Sequence, residues 1–410
     1  MKKKIAAILV CILVTICSTF TVVASTNVKK QKSVTQGSEN LQAHNTLIAD
    51  LDDNSVIEVT SSGTIVWQKT GLNWPVDAER LSNGNTLIAE VGNNRVIEVD
   101  PGGTIVWSYT GGLNGPFDTE RLANGNTLIT DTYNSRVIEV TSSGTIVWEM
   151  KGSGFPADAE RLANGNTLIA EFYYSNRVIE VTSSGTIVWQ KTGLTFPVDV
   201  ERLANGNTLI TEFLGYRVIE VENSGTIVWA YNTSSIKFDA ERLRNGNTLI
   251  TEFDYGDQVI EVNNNGNIVW QKTGLFGPTD AERINKPPGK SIIKGKTNGN
   301  TGTEYEYIIN ATDPDGDDVK YHIDWGDNTS EWTDFNASGK EVTVKHTWNE
   351  DGNYNISVKA QDIYGAEGPE GILIVTIPKN KPFNFNLNLL DWLFDRFPNL
   401  LPVLRHVLRL

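Results

Sequence analysis

The chain contains six copies of a block of about 41 residues between residues 41 and 284. The cleanest copy, DAERLANGNTLIAEFYYSNRVIEVTSSGTIVWQKTGLTFP, runs from Asp158 to Pro197. The closing tryptophans of successive copies, 40 or 41 residues apart, are Trp67, Trp107, Trp148, Trp189, Trp229 and Trp270. A period in the forties built from short β-type runs and tight turns is typical of a propeller blade. The apolar residues lack helical spacing, so the repeat predicts a radial array of small sheets.

Each block predicts four strands. Asp158–Leu162 forms the first strand, and Asn164-Gly165 after it predicts a two-residue type I′ turn, whose central residues both need positive φ. Thr-Leu-Ile, Arg-Val-Ile-Glu-Val and Gly-Thr-Ile-Val-Trp supply the other three strands, because β-branched and aromatic residues are favoured on pleated, half-buried surfaces. The region is therefore predicted to be all-β.

The two ends of the array are incomplete in complementary ways. The first copy lacks its Asp-x-Glu-Arg strand and starts at Asn45, whereas the last copy has only that strand, Asp280–Ile284, before Pro287-Pro288. A C-terminal strand that completes the first sheet would remove an exposed sheet edge. The sequence thus predicts a six-bladed β-propeller over residues 41–284, closed by strand exchange.

Residues 1–25 predict a signal peptide. Lys2-Lys3-Lys4 precedes an apolar run that ends near Val23, and small residues follow at Ala24-Ser25. A retained membrane anchor is the alternative, because the apolar run is long for a signal. Both cysteines lie inside this segment, so a cleaved chain would contain neither a disulfide nor a thiol nucleophile. The predicted location is secreted or at the cell surface.

The net charge of the chain restricts the classes of molecule that it can bind. The net charge is −15, and removal of the three N-terminal lysines would change it to −18. Such a chain repels nucleic acid and anionic membranes and favours solubility and cation binding. Nucleic acid is therefore excluded as a partner.

A linker at residues 285–290, which includes Pro287-Pro288, leads into a second domain predicted at residues 291–378. ATDPDGDDVKYHIDWGDNTSEW and KHTWNEDGNYNISVKAQDIYG resemble a PKD domain, a small immunoglobulin-like β-sandwich. The matching marks are Trp325-Gly326-Asp327, His346-Thr347-Trp348, Gly352-x-Tyr354 and Asp362. The resemblance implies an extracellular spacer or adhesion module without catalytic residues. Alternation in Tyr354-x-Ile356-x-Val358 independently predicts strands of a two-sheet core.

The repeats also resemble those of arylsulfotransferase-type and NHL-type propellers. Pro-x-Asp-Ala, Asn-Gly-Asn-Thr-Leu-Ile and Gly-x-Ile-Val-Trp carry this likeness over all six copies. The sulfotransferase branch uses a histidine on the central face. The repeat region has only His44, which precedes the first strand, so the resemblance implies the fold without the activity.

One face of the predicted propeller varies between copies. Its inner loops, between strands two and three, and its crossing segments, which lead into the next sheet, are rich in aromatic residues. Variation confined to one face of a regular scaffold is typical of a binding face. The alternative is packing between blades, which we favour for most of the recurring crossing phenylalanines. The predicted contacts with an extracellular glycan or protein ligand are Trp74, Tyr133, Tyr173, Tyr174, Tyr216 and Tyr255.

Carboxylates recur in every copy. Each innermost strand carries an aspartate and, two residues later, a glutamate followed by arginine, as in Asp158-Ala159-Glu160-Arg161. Converging carboxylates would suit Ca²⁺, but we favour a structural ring in which each carboxylate bonds a neighbouring blade and the arginines neutralise it. A second set ends the second strand of five copies, and Arg95, Arg136, Arg177 and Arg217, in reach of the first four members, predict a structural role. This set is Glu90, Asp131, Glu171, Glu212 and Glu252.

The PKD-like domain has a further acidic segment, with Asp313, Asp315 and Asp317 alternating before and after a glycine. These three residues predict a Ca²⁺ site, with a β-turn rich in Asp and Gly as the alternative. No other cofactor is predicted. Five Asn-x-Ser/Thr sequons predict a glycoprotein, at Asn232, Asn310, Asn328, Asn336 and Asn355.

Residues 383–410 predict a short helical tail. Leu390, Leu393, Phe394 and Phe397 follow helical spacing, and the tail is interpreted as an element for membrane or cell-surface attachment, with packing on the sandwich as the alternative. Together the parts predict a non-catalytic extracellular recognition or adhesion protein with a PKD spacer. The alternative is an arylsulfotransferase-like or lyase-like enzyme that uses the same propeller face.

Overall fold

The computed structural model describes residues 44–152, 154–253 and 256–378, with three further positions at Trp392, Asp395 and Arg396. The predicted signal peptide at residues 1–25 and nearly all of the tail at residues 383–410 lie outside this part of the chain. Contacts divide the protein into two units, Met1–Asn285 and Lys286–Leu410. Within the described ranges, no helix has the length and apolar character needed to cross a membrane.

The first unit consists of six four-stranded antiparallel sheets and one 3₁₀ turn at Thr132–Asn134. Sheet A contains β24 (Pro278–Ile284), β1 (Asn45–Asp50), β2 (Ser55–Val59) and β3 (Ile65–Lys69); sheet B contains β4 (Pro75–Arg80), β5 (Thr86–Glu90), β6 (Arg95–Val99) and β7 (Ile105–Tyr109); sheet C contains β8 (Pro116–Arg121), β9 (Thr127–Asp131), β10 (Arg136–Val140) and β11 (Ile146–Lys151). Sheet D contains β12 (Pro156–Arg161), β13 (Thr167–Glu171), β14 (Arg177–Val181) and β15 (Ile187–Lys191); sheet E contains β16 (Pro197–Arg202), β17 (Thr208–Glu212), β18 (Arg217–Val221) and β19 (Ile227–Asn232); sheet F contains β20 (Ile236–Arg242), β21 (Thr248–Phe253), β22 (Gln258–Val262) and β23 (Ile268–Lys272).

Sheet A is assembled from both ends of the array. The last strand, β24, pairs antiparallel with β1, so that Leu47 lies opposite Glu282 and Asn45 lies opposite Ile284. Two further backbone bonds, from Leu51 and Asp52 to the carbonyls of Gly277 and Phe276, extend the pairing beyond the strands. The edge of β1 is thus covered by the end of the same unit.

In sheets B to F, the turn after the innermost strand differs from the predicted type I′ turn. In sheet B, the Gly84 amide donates to the Leu81 carbonyl and the Leu81 amide donates to Asn85, which leaves a three-residue loop. Gly84 has φ 86°, whereas Asn83 is not among the positive-φ residues. The loop is therefore a type I turn followed by a left-handed glycine, the common three-residue hairpin. The prediction of two positive-φ residues was wrong because it ignored the residue before Asn83.

Neighbouring sheets pack face to face through their two middle strands. Between sheets D and E, for example, Leu168 and Val178 pack in one fully buried cluster with Ile210 and Ile219. The outer strands are joined by the repeating tryptophan, whose Nε1 donates to a turn carbonyl of the next sheet, as from Trp67 to Pro101 at 2.9 Å. The same bond runs from Trp270 of sheet F to Ser61 of sheet A at 2.7 Å.

The second unit is a two-sheet β-sandwich. One sheet contains β25 (Ile292–Gly295), β26 (Glu304–Asn310) and β29 (Val342–Thr347); the other contains β28 (Ser330–Trp332), β27 (Val319–Asp324), β30 (Gly352–Asp362) and β31 (Gly371–Ile377). Strand β26 alternates buried and exposed residues, as a strand with one face on a core requires. Trp348, Tyr307 and Tyr321 are fully buried in that core.

Candidate functional site

The six innermost strands are joined by a circuit of hydrogen bonds from backbone to aspartate. Each aspartate Oδ2 accepts the N–H of a residue on the next innermost strand, at 2.9 to 3.1 Å. The pairs are Asp77 with Thr119, Asp118 with Ala159, Asp158 with Val200, Asp199 with Ala240, Asp239 with Ala281 and Asp280 with Ala78. Because the sixth bond returns to sheet B, where the first one starts, the circuit is complete.

A second circuit of hydrogen bonds joins the same six innermost strands two residues further along each strand. The glutamate two residues after each aspartate accepts the N–H of the arginine on the next innermost strand, as from Arg121 to Glu79 at 2.7 Å and from Arg80 to Glu282 at 2.7 Å. The expectation that each carboxylate bonds a neighbouring blade is therefore met.

The arginine side chains were predicted to pair with the carboxylates of the innermost strands, and this prediction of their ion-pair partner was wrong. Each guanidinium binds the glutamate of a third strand instead, as Arg80 binds Glu58 at 2.9 Å and Arg161 binds Glu139 at 3.0 Å, across the boundary between two sheets. The same guanidinium lies over the repeating tryptophan, 4.9 Å from the ring centre for Arg80 and Trp67. The arginines thus serve the packing of neighbouring sheets, and their charges also lower the pKa of the innermost glutamates, as Arg121 does for Glu79.

Burial changes the proton affinity of the innermost carboxylates. Burial raises the pKa of Asp199 to about 7 and of Asp280 to about 8, although backbone N–H donors to both act in the opposite direction. Burial also raises the pKa of Glu79 to about 7 and of Glu201 to about 8. Repulsion between neighbouring carboxylates adds to the effect, as Asp118 and Asp280 do for Asp77.

The aspartates line an open cavity in the centre of the six sheets, with about 450 Å³ of space including solvent at its mouth. Each innermost strand contributes two residues, an aspartate and the residue before it. The preceding residues are Val76, Phe117, Ala157, Val198, Phe238 and Thr279. Each aspartate side chain is therefore partly exposed to water in the cavity and is otherwise surrounded by protein.

Aromatic side chains cluster on the crossing segments and inner loops of sheets C, D and E. Phe155 is the centre of this aromatic cluster, with ring centres 6.1 Å from Tyr133, 5.8 Å from Tyr173 and 5.6 Å from Tyr174. The remaining members are Phe117, Phe172 and Phe196. The cluster is confined to three of the six sheets, as the variable loops predicted.

The predicted ligand residues lie in different surroundings. Tyr174 is 80 % exposed and Tyr173 is 39 % exposed, with ring centres 4.4 Å apart. Tyr133 is half-buried between Phe117 and Phe155, and desolvation raises the pKa of its hydroxyl to about 12. The structure brings these three tyrosines into the one cluster around Phe155.

The other three predicted residues have separate positions. Trp74 packs on a buried apolar group that includes Leu51 and Val91, so it serves the joint between sheets A and B. Tyr216 is 38 % exposed in the inner loop of sheet E. Tyr255 lies outside the described residues.

The carboxylates that end the second strands pair as predicted within their own sheets. Arg95 binds Glu90, Arg136 binds Asp131, Arg177 binds Glu171 and Arg217 binds Glu212. Sheet F has glutamine at the arginine position, and there the fully buried Lys237 binds Glu252 at 3.1 Å. Sequence reasoning missed this lysine, although it occupies the position that holds proline in the other innermost strands.

In the second unit, three buried carboxylates converge. Oxygens of Asp313, Asp317 and Asp362 all lie within 4.8 Å of one another. Asp313 Oδ1 also accepts the amides of Asp315 and Asp317, which shapes the acidic segment into a turn. Asp315 Oδ2 accepts the Lys286 amide at 2.6 Å. Sequence reasoning missed Asp362 as a possible ligand, but its register opposite Val319 places it beside the acidic segment.

The sandwich also carries a histidine–aspartate pair packed against tryptophan. His346 Nε2 lies 2.8 Å from Asp327 Oδ2, and the His346 ring stacks on Trp325 with centres 4.5 Å apart. Trp348 contacts the same ring edge-on at 4.8 Å. These are the residues on which the resemblance to a PKD domain was based.

Comparison with known proteins agrees with that resemblance. Residues 285–377 match the family model described as "PKD domain". This segment is a PKD domain. A solved PKD domain of an M14-like peptidase from a Thermoplasmatales archaeon is 46 % identical over 23 % of this chain and 100 % of its own, with a TM-score of 0.23 for the whole chain.

The repeat unit resembles a solved structure in fold. A protein of unknown function from Bacteroides caccae aligns over 58 % of this chain and 98 % of its own, with a TM-score of 0.51 and 16 % identity. A streptogramin B lyase aligns over 80 % of this chain and 98 % of its own, with a TM-score of 0.41 and 13 % identity. No curated protein matches the sequence. The protein is a β-propeller-like repeat unit followed by a PKD domain.

Proposed function

We propose that the protein is a non-catalytic recognition or adhesion protein that acts outside the cell or on its surface. In this proposal the six sheets are the blades of one ring, closed where β24 completes sheet A. The loop face binds a glycan or a protein, the PKD domain is the spacer, and the tail at residues 383–410 provides attachment. PKD domains are common in extracellular proteins, which supports this location.

The observation that carries the proposal is the aromatic cluster around Phe155. Its rings are concentrated on sheets C, D and E, and Tyr174 remains 80 % exposed although its neighbours are packed. Large aromatic side chains with an apolar ring and a polar tip are the usual anchors of recognition surfaces. The inner-loop members of the cluster, Tyr133, Tyr173 and Tyr174, do not recur in all six sheets, whereas the tryptophans and arginines do.

The central aspartates have structural partners in the neighbouring sheets. Each aspartate already accepts a backbone N–H from the neighbouring sheet, as Asp158 does from Val200 at 2.9 Å. The one histidine of the repeat region, His44, is buried before β1. The arylsulfotransferase-like or lyase-like alternative therefore gains no specific support from the described residues.

Replacing Tyr173, Tyr174 and Tyr216 with serine should abolish ligand binding while the protein stays folded, because these side chains are 38 to 80 % exposed. The measurement is a screen of the purified full-length chain against arrays of glycans and extracellular proteins, followed by affinity measurements on the hits. The matched control is Trp332→Ser, which removes a 48 % exposed aromatic side chain from the PKD domain. Hits that survive the triple change but are lost in Trp332→Ser would place recognition in the PKD domain.

We also propose a Ca²⁺ site in the PKD domain, held by Asp313, Asp317 and Asp362. Three buried carboxylates repel one another, and a hard cation with oxygen ligands would relieve that repulsion. Adding millimolar Ca²⁺ after chelation should raise the melting temperature of the PKD domain by several degrees. In Asp362→Asn the response should be lost, whereas in Asp324→Asn, outside the group, it should persist. An equal melting temperature with and without Ca²⁺ in the unaltered protein would contradict the site.

A further inference from the structure

Six hairpin turns of the repeat unit contain an Asn-Gly pair, and one of the six differs from the others in its side-chain contacts. The sixth pair is Asn265-Gly266, in the turn between β22 and β23 of sheet F. In all six turns the glycine N–H donates to the carbonyl three residues earlier, at 2.8 to 2.9 Å, and the glycine has φ between 75° and 86°. The backbone of the turn is therefore shared. The five other asparagines follow the innermost strands of sheets B to F and are Asn83, Asn124, Asn164, Asn205 and Asn245.

In these five turns both ends of the asparagine amide are bound. Asn83 Oδ1 accepts the Asn85 N–H at 2.9 Å, and Asn83 Nδ2 donates to Glu98 Oε1 at 3.4 Å. Glu98 is itself held in place, because it accepts Asn85 Nδ2 at 2.6 Å and Arg121 at 2.8 Å. The same contacts recur in the other four turns, where the acceptors are Glu139, Glu180, Glu220 and Glu261. These bonds fix the orientation of the side-chain amide.

The side chain of Asn265 is not held in this way. Its backbone N–H donates to Asn263 Oδ1 at 3.0 Å, but its side chain forms no hydrogen bond with any residue that the structure describes. Asn265 and Gly266 are both exposed to solvent. The amide of Asn265 is therefore free to rotate towards the Gly266 nitrogen, and glycine has no side chain that would block the approach.

The two remaining Asn-Gly pairs of the chain are shielded by aromatic rings. The Gly115 N–H donates to Asn94 Oδ1 at 2.8 Å, and the Tyr133 ring covers the position that a side chain on Gly115 would occupy. Gly299 lies in the same way beneath the ring of Tyr305. Attack by either glycine nitrogen would require a ring to move, so Asn265 is the asparagine with the least protected neighbour.

We propose that Asn265 is a site of spontaneous covalent modification, at which the folded protein converts asparagine into aspartate or isoaspartate. The Gly266 nitrogen attacks the side-chain carbonyl carbon of Asn265 and loses its proton, while the side-chain nitrogen leaves as ammonia. Water then hydrolyses the cyclic imide at one of its two carbonyl groups. The product carries an additional negative charge and, as isoaspartate, a longer backbone.

This modification acts on the joint between sheets E and F. Trp229 Nε1 of sheet E donates to the Asn264 carbonyl at 3.1 Å, directly before the reacting residue. Formation of the imide also removes the proton that Gly266 donates to Asn263. Asn265 lies at the opposite end of β22 from the inner loop of sheet F, so its reaction does not depend on the proposed function of the loop face.

The test is incubation of the folded full-length protein at mildly alkaline pH, followed by peptide mapping with mass spectrometry at all six sites. Asn265 should be converted about tenfold or more faster than each of the five others, because those must first lose two side-chain hydrogen bonds. In protein unfolded with urea the six sites should react at similar rates, since each asparagine is followed by Gly-Asn.

Glu98→Ala is the matched variant, because it removes the acceptor of Asn83 Nδ2 and leaves the turn at Asn265 unchanged. Conversion at Asn83 should become about threefold or more faster, while Asn124 keeps its rate. Thermal melting shows whether this variant folds, and the six sites of the unaltered chain decide the question if it does not. Equal rates at Asn265 and the five other sites in the folded protein, the same preference in urea, or an unchanged rate at Asn83 in folded Glu98→Ala overturns the inference.

Discussion

Deleting residues 279–284 should unfold sheet A and destabilise the whole repeat unit. These residues form most of β24, pair with β1 from Asn45 to Ala49, and bury Ala281 and Ile284. They also carry two links of each carboxylate circuit. Asp280 accepts from Ala78 and Glu282 accepts from Arg80, while Ala281 donates to Asp239 and Arg283 donates to Glu241. Losing several hydrogen bonds, each contributing about 1 kcal/mol, should lower the melting temperature by about 10 °C or more.

Calorimetry on the full chain measures this, with the repeat unit identified by its larger unfolding enthalpy. The control is a deletion of the same length in the second unit, residues 297–302, between β25 and β26. That control should change only the transition of the PKD domain. If the 279–284 deletion leaves the repeat transition in place, closure through β24 contributes little, and the ring as we propose it is wrong.

The strands of the repeat unit could be predicted because the same pattern occurs six times. The all-β class, the incomplete end copies and the inter-sheet role of Asp158 and Glu160 all followed from the repeat itself. The turn type could not, because Asn-Gly is compatible with a two- or three-residue loop and the strand register decides between them. The ion-pair partners of the repeat arginines were predicted wrongly for a related reason. Arg161 is next to Glu160 in sequence, but the strand directs their side chains to opposite faces.

The candidate site was predictable in outline only. Non-recurring tyrosines marked the loop face, and Tyr173 and Tyr174 do lie together in the structure. Asp362 was far from Asp313 in sequence, and only the pairing of β27 with β30 brings them together. Local patterns therefore predicted which residues were unusual, and register determined their neighbours.

The repeat unit should become less stable as the pH rises from 6 to 8. Burial raises the pKa of Asp199 to about 7, and burial together with repulsion from neighbouring carboxylates raises the pKa of Glu160 to about 7 and of Asp280 and Glu201 to about 8. The unfolded chain releases the same protons near pH 4. Between about pH 4 and pH 8 the folded chain therefore holds more protons, and its stability decreases as the pH rises through the folded values.

One excess proton over two pH units corresponds to about 2.7 kcal/mol, or about 5 to 10 °C in the melting temperature of a domain of this size. Calorimetry at constant ionic strength measures the change. Asp158→Asn should raise the melting temperature at pH 8 and flatten the pH dependence. The amide oxygen can still accept the Val200 N–H, while the charge facing Asp118, Asp199 and Glu160 is removed.

The matched variant is Asp131→Asn, at a carboxylate that is bound to Arg136 and lies outside the central circuit. Its loss breaks an ion pair, so it should lower the melting temperature by similar amounts at pH 6 and pH 8. A melting temperature that is constant or rises between pH 6 and pH 8 in the unaltered protein would mean that the central carboxylates are ionised throughout. The cavity lined by the aspartates would then have to hold bound cations, and the melting temperature should depend on the concentration of divalent ions.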